Sequence, residues 1–182
     1  MNFLLFGFDT NGQKYYHARL MSAQAVIDGL EFARSGQRLQ GEMEVAQLAR
    51  LADSLFDTAG RLRFTLAGDR DAKRRPRLNL TVEGEISLRC QRCLDRLAFP
   101  LAVKSSLLVL TGGDGGEIAE IDDLDGIAAD PRTEVRALIE DEVLLAIPIA
   151  PRHPEGLCSA AVKMPRERAP SPFAVLARSK QN

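Results

Sequence analysis

Between residues 62 and 103 apolar side chains fall on every second position, and a Cys-x-x-Cys pair separates the last two runs. Leu62, Phe64 and Leu66 share one parity, as do Leu78, Leu80 and Val82, continued by Ile86, Leu88 and Cys90. Beyond the cysteine pair come Leu97, Phe99, Leu101 and Val103. Side chains alternate faces along a strand, so each run describes a strand with one buried and one wetter face. Gly68 and the basic tract Arg70 to Arg77 separate the first two runs, and Cys90-Gln-Arg-Cys93 the last two. Connections this short join antiparallel neighbours, because parallel strands need a long crossover. The pattern predicts an antiparallel β-sheet, a meander or a partly closed barrel, with a hairpin that carries the cysteines.

Two or three helices are expected to pack on that sheet, which makes the fold class α+β. Val45, Leu48, Leu51 and Leu55 fall at helical spacing, with Ala46 and Ala49 as good helix formers, so a helix is predicted over 45–56 and closed by Gly60. A second is predicted over 131–147. Asp130 suits its N-cap, Pro131 its first position, and Glu134 the positive end of its dipole. Its apolar stripe is Val135, Leu138, Ile139, Val143 and Ala146, ended by Pro148 and Pro151. On that spacing Glu140, Asp141 and Glu142 fall on the polar, solvated side. Leu30 to Ala33 reads as a short strand turning at Ser35-Gly36 into a returning strand from Leu39, and Phe173, Val175 and Leu176 as one docked turn.

Residues 112–130 shift to glycine and acid and read as a solvated acidic loop. Residues 1–21 differ in character from the rest of the chain, and Met21 is a second plausible start, so they read as an N-terminal extension that the native chain need not carry. Residues 22–180 then form one domain. Hydrophobic residues make up 45% of the 182 and charged residues 27%, enough apolar material for a folded core. Net charge is −1, so no overall field draws the chain to nucleic acid or an anionic membrane, and any such binding falls to local patches. The apolar start, Met1 to Phe8, lacks a basic flank and stops at Asp9, and no later stretch is long enough to span a bilayer. These features predict a soluble cytoplasmic protein with reduced thiols, with neither a membrane nor a DNA partner.

A Cys-x-x-Cys turn brings two sulfurs to one point, which suits two ligands of Zn²⁺ or a redox dithiol. The redox reading wants the pair to open a helix after a strand, whereas Cys90 and Cys93 sit at a hairpin tip, a common zinc half-site. A structural zinc ion takes four ligands. The third cysteine, Cys158, lies after the second helix with His153 upstream, so Cys90, Cys93, His153 and Cys158 form a candidate Cys₃His site. Two metal-free thiols packed at a turn are the competing reading. Basic residues group as Arg74, Arg75 and Arg77 in one connection and Arg89, Arg92 and Arg96 around the cysteine turn. If loop and turn lie at the same sheet edge, they present a phosphate-binding face; the competing reading is a solvated connection. No aromatic residues interleave with them to stack bases. Catalytic signatures such as Gly-x-Ser-x-Gly, a phosphate-cradling glycine loop or His-Glu-x-x-His are missing.

Three segments in order resemble the YceD family of bacteria and plastids. They are Ile86-Ser-Leu-Arg-Cys-Gln-Arg-Cys93, the stretch Val135-Arg-Ala-Leu-Ile-Glu-Asp-Glu-Val-Leu-Leu-Ala-Ile-Pro148 running on through His153 to Cys158, and Pro172-Phe-Ala-Val-Leu-Ala177. The resemblance implies a non-catalytic ribosome-biogenesis factor that supports accumulation of 23S ribosomal RNA of the large subunit. Its expected partner is ribosomal RNA or a large-subunit assembly intermediate. The alternative is an adaptor or chaperone that holds a ribosomal protein, for which the acidic loop would attract a basic partner.

Overall fold

The computed structural model describes residues 25–111 and 125–158, together with the backbone of 5–8 and 14–18. Its spine is a long hairpin of β7 (Pro76–Arg89) and β8 (Arg96–Leu110), paired from Arg77–Leu108 to Arg89–Arg96. On one side of this hairpin lie β6 (Arg61–Arg70) and β4 (Arg38–Glu44), each antiparallel to its neighbour. β2 (Lys14–Ala18) adds parallel to β4, and β1 (Leu5–Phe8) closes that edge antiparallel to β2. The short β9 (Asp125–Ala128) runs parallel to β8 at the other edge. Two edges remain, so the sheet is an open, mostly antiparallel one and not a closed barrel. Strand β9 also means that the expected acidic loop 112–130 ends in regular structure; residues 112–124 lie outside the described residues, as does 172–177.

The alternating runs do form the buried face. Leu62, Phe64, Leu66, Leu78, Leu80, Val82, Ile86, Leu88, Leu101 and Val103 are all buried in one cluster. Against them pack two helices, α1 (Gly29–Arg34) on β6 and β7 and α2 (Val135–Ala146) on β8 and β7. A two-residue bridge ties their starts together. In it β3 (Val26–Ile27) pairs with β10 (Thr133–Glu134), flanked by Gly29 N donating to Asp130 O and Val135 N to Ala25 O.

Three local expectations are overturned. Leu30–Ala33 is helical, not a strand, because Asp28 caps α1 by accepting from Glu31 N at 2.9 Å. Residues 45–56 form no α-helix; they form two 3-10 turns, Val45–Gln47 and Ala49–Ser54, before β5 (Leu55–Asp57) pairs with β7. The buried residues Val45, Leu48 and Leu51 are three apart, the true period of a 3-10 helix. Helix α2 starts at Val135 and not at 131, since Asp130 is used in a turn, accepting from Arg132 N at 2.7 Å, and 133–134 in the bridge.

The polar side expected for α2 is also partly wrong. Val135, Leu138, Ile139 and Val143 are buried as expected, each worth about 1.5–3 kcal/mol. Ala146 is exposed, and Glu140 and Glu142 are buried. The helix sits between β8 and the second 3-10 turn, so both flanks of its stripe are covered. Each acid has a partner there: Glu140 accepts from Arg50 N at 3.2 Å, and Glu142 from the Ser105 hydroxyl. Asp141 alone is exposed, paired with Arg50.

Gly68 in β6 is where α1 comes closest to the sheet. A Cβ there would lie 2.1 Å from Phe32 O. Its own N–H donates to Gln37 O at 2.8 Å, so the backbone cannot swing away without losing that bond. Gly68→Ala is expected to destabilise the fold by about 1–3 kcal/mol through overpacking, read as a lower urea midpoint at unchanged slope. An unchanged midpoint would show that α1 does not seat as described.

Candidate metal centre

The β7–β8 hairpin carries the cysteine turn past the body of the sheet. Cys90 N donates to Asp95 O at 3.0 Å and Leu94 N to Cys90 O at 2.9 Å, which closes a tight loop. Leu94 takes the left-handed conformation (φ 63°) needed to turn the chain after the second cysteine. Helix α2 ends at Ala146, and the prolines Pro148, Pro151 and Pro154 then carry an irregular segment back across the turn. Gln91 N donates to Pro151 O at 2.8 Å, and the Arg92 guanidinium to His153 O at 2.8 Å. Two segments about sixty positions apart are thus stitched together by their backbones.

Cys90, Cys93, His153 and Cys158 come together at that seam, all four donor atoms within 4.8 Å of one another. Cys90 Sγ lies 3.9 Å from Cys158 Sγ, Cys93 Sγ 3.4 Å from His153 Nδ1, and Cys158 Sγ 3.9 Å from the same nitrogen. A tetrahedral zinc ion, about 2.3 Å from sulfur and about 2.0–2.1 Å from imidazole nitrogen, needs sulfurs about 3.8 Å apart and sulfur–nitrogen pairs about 3.6 Å apart. These three separations lie within about 0.4 Å of that geometry, and the other pairs, all within 4.8 Å, would have to close by at most about 1 Å.

The surroundings favour ligation. His153 Nε2 lies 2.9 Å from Arg96 O. A carbonyl only accepts, so Nε2 carries the proton and Nδ1 turns its lone pair to the sulfurs, the arrangement in which a backbone oxygen orients a metal-bound imidazole. Burial opposes ionisation of Cys90, but the backbone amides of Cys93, His153 and Arg92 aimed at its sulfur overcome it and hold the thiol down to about 5. Cys158 is pushed up to about 11 by burial and by its hydrogen bonds with Cys93 and Cys90. The Cys90 sulfur is thus biased towards the anionic form that a metal takes, with two further cysteine sulfurs and an imidazole nitrogen beside it. This cluster can hold a metal ion.

The arginines are arranged differently from the expectation of a shared edge. Arg74, Arg75 and Arg77 lie at the start of the 14-residue β7 and Arg89, Arg92 and Arg96 at or beyond its end, on the order of 40 Å away along the strand. The two groups therefore sit at opposite ends of β7. At the far end Arg75 pairs with Asp71 at 2.6 Å and Arg77 with Asp69, whose carboxyl it holds below the usual range; Arg74 is exposed in a left-handed conformation. At the cysteine end, Arg89 stacks over the Phe56 ring at 5.7 Å, and Arg96 Nε reaches Ser87 Oγ at 2.8 Å and Asp57 Oδ2 at 3.4 Å. Sequence reasoning missed Asp57, Phe56 and the Arg96 carbonyl, whose roles come from strand register.

Residues 78–178 match the family model described as "Large ribosomal RNA subunit accumulation protein YceD". The chain belongs to the YceD family. The match takes in the hairpin, α2 and all four donor residues, so the seam lies within the YceD region. A curated relative, "Large ribosomal RNA subunit accumulation protein YceD" of Haemophilus influenzae, is 26% identical over 164 residues, covering 85% of this chain and 94% of the relative. No solved structure matches. Among the described residues of this YceD chain, no helix is long and apolar enough to cross a membrane.

Titration with Co²⁺ under reducing conditions tests the donor set. One equivalent is expected to give the intense visible bands of a tetrahedral, thiolate-rich site. Cys158→Ser should weaken apparent affinity at least ~10–100-fold, the range that even outer partners of a ligand command. A pale spectrum with no thiolate band would remove the site.

Proposed function

We propose that this chain is a non-catalytic, cytoplasmic ribosome-biogenesis factor that supports the accumulation of 23S ribosomal RNA, held in shape by one structural Zn²⁺ on Cys90, Cys93, His153 and Cys158. The observation that carries the reading is the family match across the hairpin, α2 and the loop after it. The relative from Haemophilus influenzae bears the same description over nearly its whole length. Two features support a protein that acts by contact. All four donors of the cluster come from the chain itself, which matches a closed structural site better than a catalytic one with an open position. The buried acids of α2 are engaged by Arg50 N and Ser105, as packing groups are.

Phosphate contact would come from Arg89, Arg92 and Arg96 at the cysteine turn and from Arg74, Arg75 and Arg77 at the opposite end of β7, as two separate footholds. Only part of this charge is uncompensated, because Arg75, Arg77 and Arg96 face Asp71, Asp69 and Asp57. That pairing favours a second reading, an adaptor that holds a ribosomal protein. On this reading the residues between β8 and β9, rich in Asp and Glu, attract the basic partner.

Two measurements separate the readings. Loss of the protein is expected to lower 23S relative to 16S ribosomal RNA, and unchanged ratios would remove the ribosomal assignment altogether. With purified protein and a 23S fragment, affinity is expected to fall with salt, and the double variant Arg74→Ala, Arg89→Ala to lessen the log–log slope by about 1.5. A slope untouched by both substitutions, with a partner retained after nuclease treatment, would favour the adaptor.

A further inference from the structure

The arginines around the cysteine turn have no aromatic neighbour in the sequence, and the fold supplies one from another strand. Phe56, in the middle of β5, is 39% exposed. Among the described side chains Phe32 and Phe64 are buried and Phe99 is half-buried, so Phe56 is the one exposed phenylalanine ring. The pairing of β5 with β7 shifts register between Leu55–Leu88 and Asp57–Ser87, which leaves Phe56 without a cross-strand partner. Irregularities of this kind re-aim a side chain and recur beside functional sites. The Arg89 guanidinium lies over the ring, 5.7 Å from its centroid. Arg96 is the register partner of Arg89, and both are exposed. Like charges directly opposite one another on a ladder are destabilising. Asp57, next to Phe56, offsets part of that charge, its Oδ2 lying 3.4 Å from Arg96 Nε. A lone exposed aromatic needs no explanation. One that stands at a register shift, against two opposed arginines, calls for a ligand that uses ring and charge together.

We propose that Phe56, Arg89 and Arg96 seat one unpaired nucleotide of an RNA strand, its base stacked on the Phe56 ring and its phosphate between the two guanidiniums. The proposal rests on the reading that this chain touches ribosomal RNA, and it adds which form of RNA the cysteine end takes. Every base has a π-face that can stack on an aromatic ring, and only an unpaired, splayed-out base has that face free. A phenylalanine ring carries no hydrogen-bonding group, so the seat reads strandedness and not sequence. A phosphate between Arg89 and Arg96 takes charge-assisted hydrogen bonds from both, and the repulsion between them becomes joint attraction for one anion. The contact of the Arg89 guanidinium with the ring sets the two recognition groups side by side, as phosphate and base are neighbours within one nucleotide. The register that pairs Arg89 with Arg96 and the shift that frees Phe56 both belong to β7, so one strand positions the whole seat.

The test titrates the full-length chain into a short single-stranded RNA carrying one 2-aminopurine, and into the same strand annealed to its complement. Binding of the single strand is expected to quench the 2-aminopurine fluorescence, as stacking does. Phe56→Leu is expected to abolish the quenching and to weaken single-strand affinity on the order of 5- to 150-fold, the loss of one stacked base. Phe56→Tyr, which keeps the ring, is expected to retain both, and duplex affinity to be the same for all three chains. A Leu variant that binds and quenches like the unmodified chain overturns the proposal. So does one that loses single-strand and duplex binding alike, or a Tyr variant no better than Leu. If the salt slope still responds to Arg74→Ala, Arg89→Ala while the Phe56 variants are indistinguishable, the seat alone fails. If the unmodified chain binds neither form of RNA, direct contact with ribosomal RNA fails together with it.

Discussion

The pairing of β7 with β8 is the constraint on which the rest of the molecule depends. It runs without a break from Arg77–Leu108 to Arg89–Arg96 and supplies both the floor of the core and the arm that holds the cysteine turn. Register within such a ladder is all-or-none, since a slip of one residue would exchange the buried and wet faces. The even-numbered leucines of β7 pair with odd-numbered residues of β8, so a slip by one residue would turn one of the two apolar sets to solvent. That register places Cys90 and Asp95 opposite one another and so closes the turn.

The second element is α2, which connects the core to the seam. Its stripe holds it on β8, while Glu142 meets Ser105 on the strand and Glu140 the backbone of the 3-10 turn. Burying a carboxylate is costly unless it is hydrogen-bonded, so these two contacts restrict where the helix can lie along the sheet. Its end point then decides where the proline-rich segment starts, and the backbone bonds from Gln91 and Arg92 bring His153 and Cys158 over the turn. The donor cluster is the meeting point of two separately specified elements. A metal ion there would join the hairpin to the segment after α2, at the opposite end of β7 from the loop of Arg74 and Arg75.

Much of this was legible in the residues. Period-two alternation marked the strands of the sheet, and the types and positions of Cys90, Cys93, His153 and Cys158 identified the cluster that the fold assembles. Some misreadings had a signal that was passed over. Val45, Leu48 and Leu51 are spaced by three, which is the 3-10 period, and Asp28 with Glu31 is a helix-start pair for α1. One had none. Nothing local in Glu140-Asp141-Glu142 says which acids are covered, because that depends on Ser105 and on a turn some ninety positions away. The separation of the arginine groups, by contrast, comes from the length of β7, which the unbroken parity from Leu78 to Cys90 already carried.

The central claim is that two distant segments close on one tetrahedral metal ion. X-ray absorption at the zinc K-edge of the protein purified under reducing conditions addresses it most directly. The account predicts a first shell of three sulfurs at about 2.3 Å and one imidazole nitrogen at about 2.0–2.1 Å. A shell of oxygens, two sulfurs only, or no bound zinc at all would contradict it.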